Sequence, residues 1–206
     1  MIKNIVFDLG GVIITLNFEQ AVRRFYEMGV ENIRTYLDPF AQTGIFGDLE
    51  GGKITAEEFR LKLSELAGCE LSFADCLHAW KGFVEEVPRC NLETLVALRQ
   101  KGYRLILLSN TNPYMMSWAM SPDFSGDGHA LRDYFDACYL SYQCGIMKPD
   151  PAIFQLMLEK EGILPNETLF LDDGPQNVKV AASLGIQTYQ PREGEDWTEK
   201  LKLLLQ

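Results

Sequence analysis

The chain has 206 residues, of which 47% are apolar and 23% charged, enough to bury a core without disulfides or a structural metal. Its formal net charge of -10 repels nucleic-acid phosphates and anionic lipid, so we expect neither nucleic acid nor membrane as a partner. No apolar run approaches the roughly 20 residues of a membrane span, and we expect no signal peptide. Five cysteines without a C-x-x-C pair predict free thiols and a cytoplasmic location.

Five short apolar segments are predicted to form buried strands, because β-branched residues are frequent in them. In chain order they cover residues 2–7, 103–108, 137–140, 168–171 and 186–189. The first segment ends on Asp8 and is followed by Gly10 and Gly11. This pattern is typical of a strand that runs into a tight turn.

Three helices are predicted between the later strands, at residues 92–101, 151–161 and 177–184. Asn91 is predicted to cap the first of them, and Asp150, with Pro151 in the first turn, to cap the second. This alternation predicts an α/β fold with a Rossmann-like, doubly wound parallel sheet that is covered on both faces. Residues 113–133 break the pattern and are predicted to form an irregular loop.

Residues 16–87 also interrupt the alternation, because they show no strand pattern. Apolar residues recur there at helical spacing, as in Phe18, Ala21, Val22 and Phe25. Thr55, followed three residues later by Glu58, predicts a capping box at the start of a helix. We therefore expect a small α-helical cap of residues 16–87, inserted after the first strand, and a core formed by residues 1–15 and 88–206.

Polar side chains stand where the predicted strands end. They are Asp8, Ser109, Asn110, Asp172 and Asp173, with Lys148 shortly after the third strand. Because ligands of an open parallel sheet bind beyond the carboxyl ends of its strands, we expect these side chains to meet. Burying unpaired carboxylates costs on the order of several kcal/mol each, and a divalent cation removes that cost. The all-oxygen ligand set favours Mg²⁺ over zinc or copper.

Four segments of the chain resemble the four motifs of the haloacid dehalogenase-like (HAD) hydrolases. They are Phe7-Asp8-Leu9-Gly10-Gly11-Val12, Leu108-Ser109-Asn110-Thr111, Met147-Lys148-Pro149 and Phe170-Leu171-Asp172-Asp173. The segments stand in the family's order, each beside an apolar strand, and the helical insertion between the first two resembles a C1-type cap. A single motif is weak evidence, whereas four in order are specific. The resemblance covers essentially the whole chain.

The resemblance implies a role in phosphoryl transfer for residues at three strand ends. Asp8 would be the nucleophile that attacks phosphorus, which divides the hydrolysis into two displacements. Lys148 would neutralise charge between Asp8 and the phosphate. Ser109 and Asn110 would bind phosphoryl oxygens through the serine hydroxyl and neighbouring N–H groups.

The resemblance also implies how the cofactor, Mg²⁺, is held. The Asp8 carboxylate, the backbone carbonyl of Gly10 and Asp172 would be the metal ligands. Asp173 would orient a water bound to the metal. Together with the phosphate-binding residues, these groups supply the positioning and electrostatic stabilisation that phosphoryl transfer requires.

One position departs from the family pattern. Most phosphatases of this superfamily have a second Asp two residues after the nucleophile, which acts as general acid and base, and here that residue is Gly10. Such catalysis typically contributes about 10²–10⁴-fold, or about 3–5 kcal/mol of barrier. The substrate could have a good leaving group, another residue or water could supply the proton, or the chain could bind without turnover.

We expect a cytoplasmic Mg²⁺-dependent phosphomonoesterase that acts on a small phosphorylated metabolite through an aspartyl-phosphate at Asp8. An anomeric sugar phosphate is the favoured substrate, because its leaving group is good. The chain is expected to be a monomer or a weak homodimer. Two alternatives stay open. A haloacid dehalogenase would direct the same aspartate at carbon without a metal, and a catalytically weak binding or regulatory protein would explain Gly10.

Overall fold

The computed structural model of the protein describes residues 1–38, 42–192 and 195–205. The strands are β1 (Asn4–Phe7), β2 (Thr15–Leu16), β3 (Val84–Glu86), β4 (Arg104–Ser109), β5 (Ala137–Leu140), β6 (Thr168–Leu171) and β7 (Gln187–Tyr189). The first five α-helices are α1 (Phe18–Glu27), α2 (Gly44–Glu50), α3 (Ala56–Ala67), α4 (Phe73–Trp80) and α5 (Arg89–Gln100). The others are α6 (Pro113–Ala119), α7 (Ser141–Cys144), α8 (Pro151–Glu161), α9 (Pro175–Ser183) and α10 (Trp197–Leu204).

Five of the strands form one parallel sheet in the order β5-β4-β1-β6-β7. β1 lies in the centre, and the chain leaves it in one direction toward β4 and β5 and in the other toward β6 and β7. Ligands of such sheets bind where the strand order reverses, which here is the carboxyl end of β1. The predicted fold class, a mostly parallel sheet flanked by helices, is confirmed.

The sheet is buried on both faces, and its side chains alternate between two apolar cores. On one face Ile5 and Phe7 pack in a cluster with residues of α5 and α10. On the other face Val6 packs in a cluster with Phe154 of α8 and Ala181 of α9. Since all four residues of β1 are buried, this strand and the residue that follows it are held from both sides.

Helices α1 to α4 form a helical insertion, residues 18–83, between β2 and β3. Phe25, Phe46, Phe59 and Trp80 from its four helices pack ring against ring, with centroids 5.1–5.9 Å apart. β2 and β3 pair antiparallel at the two ends of the insertion. The expectation that residues 16–87 contain no strand is therefore wrong. These two short strands are stabilised by hydrogen bonds to each other and need no apolar run, so the sequence shows no strand pattern there.

Helix ends follow the local sequence in two of the predicted cases. The Asp150 side chain accepts a hydrogen bond from the N–H of Ala152 at the start of α8, and Gly162 ends that helix with a left-handed backbone. Thr55 and Glu58 form the predicted capping box. Apart from the residues that the structure leaves undescribed, no helix is both long and apolar enough to cross a bilayer.

One predicted helix cap and one predicted loop are wrong. Asn91 does not cap α5, which begins at Arg89 after Pro88, and its buried amide instead donates to the carbonyl oxygens of Val12 and Ile13. Residues 113–133 are not wholly irregular, because residues 113–119 form α6. Its N-cap is Asn112, whose side chain accepts two backbone hydrogen bonds.

Candidate active site

The carboxyl ends of β1 and β6 bring three carboxylates together. Oxygen atoms of Asp8, Asp172 and Asp173 lie within 4.8 Å of one another. The Lys148 ammonium reaches into this group, with Nζ 2.9 Å from Asp8 Oδ1 and 2.6 Å from Asp172 Oδ2. The Lys148 side chain is 1% exposed, so its charge acts on these groups with little screening by water.

Asp172 is the most fully hydrogen-bonded of the three carboxylates. Its Oδ1 accepts from the N–H of Gly174 at 2.8 Å and from Asn177 Nδ2 at 2.9 Å. Its Oδ2 accepts from Lys148 Nζ, and Asn177 Nδ2 lies 3.1 Å away. A carboxylate has about four lone-pair sites, and three protein donors occupy most of those of Asp172. This side chain therefore holds Lys148 in place.

Asp8 presents its two oxygens differently. Oδ1 accepts hydrogen bonds from the N–H of Leu9 at 2.7 Å and from Lys148 Nζ. No hydrogen bond from the described residues reaches Oδ2, and the side chain is 14% exposed at the cavity. One oxygen is thus fixed by the protein while the other remains available to a ligand.

The electrostatics of the cluster indicate a shortage of positive charge. Burial raises the pKa of Asp8 to about 7, against the effect of Lys148 and with that of the other two carboxylates. Burial and the charge of Asp172 raise the pKa of Asp173 to about 6. Burial lowers the pKa of Lys148, but Asp172 and Asp8 outweigh it and the net shift is upward. Three ionised carboxylates beside one ammonium leave two negative charges unbalanced, which a divalent cation matches.

The end of β4 contributes Ser109 and Asn110. Both line the cavity. The Asn110 side chain, however, donates to the carbonyl oxygen of Lys148 and accepts from its N–H, each at 2.8 Å. This pair of hydrogen bonds fixes the backbone of Lys148 against β4. The Asn110 amide therefore orients the lysine. The Ser109 hydroxyl makes only a long hydrogen bond of 3.3 Å, to the Asn110 carbonyl oxygen, and is the more easily released donor.

The two glycines after Asp8 serve different needs. Gly11 has a φ of +68°, and a Cβ there would lie 2.2 Å from Asp173 Oδ2. Only glycine fits that position. Gly10 has no positive φ, and its Cβ would meet only the Leu16 side chain, at 3.2 Å. The backbone at residue 10 therefore has a conformation that other residues adopt, and a Cβ fits there if the Leu16 side chain moves slightly.

The cavity has two walls. The core wall consists of the strand-end residues Asp8, Ser109, Asn110, Lys148 and Asp173 with their neighbours, and the insertion wall consists of Leu16, Gln42, Glu50, Trp80 and Phe83. The cavity measures about 770 Å³ including the part open to solvent.

Sequence reasoning missed Glu50 and Asn112. Glu50 ends α2 in the insertion, and Asn112 follows β4, yet both line the cavity. Asn112 Nδ2 and Trp80 Nε1 are buried nitrogen atoms without a hydrogen-bond partner among the described residues. The Asn112-Pro113 pair was a usable signal for a helix start, but nothing local to Glu50 marks it as part of the site.

The chain is similar along most of its length to proteins of one hydrolase family. Residues 2–185 match the family model of the haloacid dehalogenase-like hydrolases. A D-ribitol-5-phosphate phosphatase from Bacteroides thetaiotaomicron is 48% identical over 205 residues, which cover 100% of this chain and 99% of the relative.

Two solved structures extend the comparison. A HAD-like family hydrolase from Porphyromonas gingivalis has a TM-score of 0.95 at 48% identity, with 100% of this chain and 98% of that one covered. A HAD family enzyme from Bacteroides thetaiotaomicron was solved with magnesium and inorganic phosphate. Its TM-score is 0.87 at 40% identity, and the match covers 97% of this chain and 99% of that one.

Proposed function

Because the chain belongs to the haloacid dehalogenase-like hydrolases, we propose that it is a Mg²⁺-dependent phosphomonoesterase with Asp8 as its nucleophile. The observation that carries this proposal is the pairing of Lys148 with both Asp8 and Asp172 inside a cluster of three carboxylates. The ammonium fixes one oxygen of Asp8 and leaves the other open to the cavity. A nucleophile held in this way needs little reorganisation before it attacks phosphorus.

The residues present fit a magnesium ion. The cluster lacks two positive charges, its ligand atoms are all oxygen, and Mg²⁺ prefers such ligands. We expect Asp8 and the Gly10 carbonyl to hold it, together with Asp173 rather than Asp172. The reason is that both oxygens of Asp172 already accept hydrogen bonds from protein donors, which reverses the roles that the family resemblance implied for this pair. When bound, Mg²⁺ would neutralise charge that builds up on the phosphoryl oxygens.

The protein groups act in two displacements. Asp8 attacks phosphorus and the substrate's alcohol leaves, and water then hydrolyses the aspartyl phosphate to release inorganic phosphate. Lys148 offsets the charge on Asp8 and on the phosphoryl group throughout. Ser109 donates its hydroxyl to a phosphoryl oxygen. The helical insertion covers the reacting atoms and excludes bulk water.

We propose an open-chain polyol phosphate, or a sugar phosphate of similar size, as the substrate. The relative's name supports a pentitol phosphate. The leaving group would then be an ordinary alcohol, rather than the anomeric oxygen favoured from the sequence.

The remaining expectations belong to the same proposal. We place the protein in the cytoplasm as a monomer or a weak homodimer. We retain the division into a core of residues 1–15 and 88–206 and a cap of residues 16–87. The free state of all five cysteines supports the cytoplasmic location, since a reducing compartment maintains thiols.

The test is a screen of phosphorylated metabolites with Mg²⁺, in which the wild-type chain is compared with Asp8→Asn. We expect phosphate release from polyol or sugar phosphates, loss of activity with EDTA, and recovery when Mg²⁺ is restored. Halide release from 2-haloacids in the presence of EDTA would instead identify a dehalogenase. Binding of Mg²⁺ and phosphate without turnover of any substrate would identify a binding or regulatory protein and contradict the proposal.

A further inference from the structure

We propose that Glu50 of the helical insertion donates the proton to the leaving alcohol, in place of the carboxyl group that is missing at Gly10. The inference rests on the proposed phosphatase function. The proposed general acid lies in the helical insertion, whereas the nucleophile lies in the core. The insertion would then take part in the reaction as well as cover the reacting atoms.

An ordinary alcohol substrate makes such a group necessary. An alkoxide is a poor leaving group, and general acid catalysis of its departure is worth about 10²–10⁴-fold. Gly10 has no side chain that could serve. A pentitol phosphate, as in the relative's name, would therefore turn over slowly unless another residue supplied the proton.

The ionisable side chains that line the described part of the cavity leave one candidate. They are Asp8, Glu50, Lys148 and Asp173. Asp8 is the nucleophile, and Lys148 is paired with two carboxylates and more than 95% buried. Asp173 is assigned to the metal. Glu50 faces the core wall from the insertion and has no other role in the mechanism.

Glu50 is held in place by the core. Its backbone carbonyl accepts a hydrogen bond of 2.6 Å from Ser141 Oγ, and the same hydroxyl accepts from the N–H of Thr111 at 2.9 Å. Thr111 follows the phosphate-binding residues of β4. Two residues after Glu50, Gly52 packs so closely on the core that a Cβ there would lie 2.3 Å from the Tyr142 carbonyl oxygen. The end of α2 is thus fixed beside the phosphoryl site.

The surroundings of Glu50 suit an acid that keeps its proton at neutral pH. The residue is 8% exposed. Burial raises the pKa of Glu50 to about 8, the Asn112 side chain opposes this shift, and the charge of Asp8 adds to it. Because Asn112 uses its oxygen to cap α6, its amide nitrogen is the group left to contact the carboxyl and orient it.

The proton moves twice in one cycle. In the first displacement the Asp8–phosphorus bond forms, the bond from phosphorus to the alkyl oxygen breaks, and that oxygen takes the Glu50 proton and leaves as an alcohol. In the second, the Glu50 carboxylate accepts a proton from water as the water oxygen bonds to phosphorus and the bond to Asp8 breaks. Inorganic phosphate leaves with Glu50 protonated again.

The test compares Glu50→Gln with wild type on D-ribitol 5-phosphate and on p-nitrophenyl phosphate, whose phenolate leaves without a proton. We expect kcat on the alkyl phosphate to fall by about 10²–10⁴-fold. On p-nitrophenyl phosphate we expect a burst of one phenolate per active site at the wild-type rate, followed by slow turnover, because the variant lacks the base for the second step. Asp48→Asn, an exposed acid-to-amide change in the same helix, is the matched control and should leave both rates unchanged.

A second variant separates acid catalysis from substrate binding. In the Glu50→Gln background, Gly10→Asp, whose Cβ would lie 3.2 Å from the Leu16 side chain, should raise kcat on the alkyl phosphate at least tenfold. Unchanged kcat in Glu50→Gln, or a rise in KM alone, would overturn the acid role while leaving the phosphatase intact. Absence of turnover by the wild-type chain on both substrates would overturn the proposed function itself.

Discussion

The core wall and the insertion wall of the cavity differ in how their polar groups are held. On the core wall charged groups are paired with one another, as Lys148 is with Asp8 and Asp172. On the insertion wall polar groups are few and incompletely paired, as with Glu50 and the Trp80 nitrogen. A wall of paired charges can position a constant group such as phosphate. A sparsely paired wall can receive groups that differ between substrates.

The largest effect is expected at the nucleophile of the core wall. Asp8→Asn keeps the shape of the side chain and removes its nucleophilic oxygen, so kcat should fall by about 10⁴-fold or more. Steady-state kinetics with D-ribitol 5-phosphate measures this, with circular dichroism as the check on folding. Activity within tenfold of wild type would mean that the covalent intermediate forms elsewhere.

Loss of the buried cation should be the next largest effect. Lys148→Met leaves Asp8 and Asp172 without their shared partner, and breaking a buried pair typically costs about 3–5 kcal/mol. We expect urea unfolding to show a loss of this size without metal, and millimolar Mg²⁺ to recover part of it. Lys179→Met, at an exposed position, should change stability little and serves as the control.

The insertion wall should respond to pH through Glu50. Because its folded-state pKa is about 8 and the ordinary value is 4.5, the native state binds this proton more tightly than the unfolded state. Stability attributable to Glu50 is therefore complete below pH 4.5 and is lost as pH rises toward 8. We therefore compare the free energy of unfolding of Glu50→Gln with that of wild type at each pH. The variant's advantage over wild type should be about 2–4 kcal/mol larger at pH 9 than at pH 5.

Urea unfolding of both proteins at pH 5 and pH 9 measures that difference. Taking the change relative to wild type removes the contributions of Asp8 and Asp173, which also titrate. Asp48→Asn should show no such dependence. An equal difference at both pH values would mean that Glu50 is ionised in the folded protein.

The smallest expected effect is a difference in stability between alanine substitutions at the two glycines that follow Asp8. Gly11→Ala places a methyl group against Asp173 at a positive φ and should cost about 2 kcal/mol or more, whereas Gly10→Ala should cost less than about 1 kcal/mol. Thermal unfolding of the two variants measures this. Equal losses would show that residue 10 is also restricted by the backbone.

The core wall could be predicted from the sequence, and most of the insertion wall could not. Asp8 and Asp172 follow apolar runs directly, so local sequence places them at strand ends, and the parallel sheet then brings those ends together. Asn91 shows the limit of local reasoning. It resembles a helix cap, but its partners Val12 and Ile13 lie 79 and 78 residues away.

Glu50 depends even more on tertiary contacts. Its position is fixed by a hydrogen bond to Ser141, 91 residues further along the chain. No periodicity or capping rule carries information over that separation. The start of α5 and the existence of α6 were missed for a related reason, since buried contacts and a proline start decided them. The fold class was predictable because it follows from the alternation of strands and helices.

The close contact of Gly52 with the Tyr142 carbonyl oxygen has a mechanical consequence. If the helical insertion swings outward to admit substrate, these two backbones must separate, and the Ser141 hydrogen bond to Glu50 breaks with them. The same movement withdraws the carboxyl from the phosphoryl group. A methyl group at residue 52 would keep the two backbones apart and the cavity open. Opening of the cavity would then no longer be coupled to the position of the Glu50 carboxyl group.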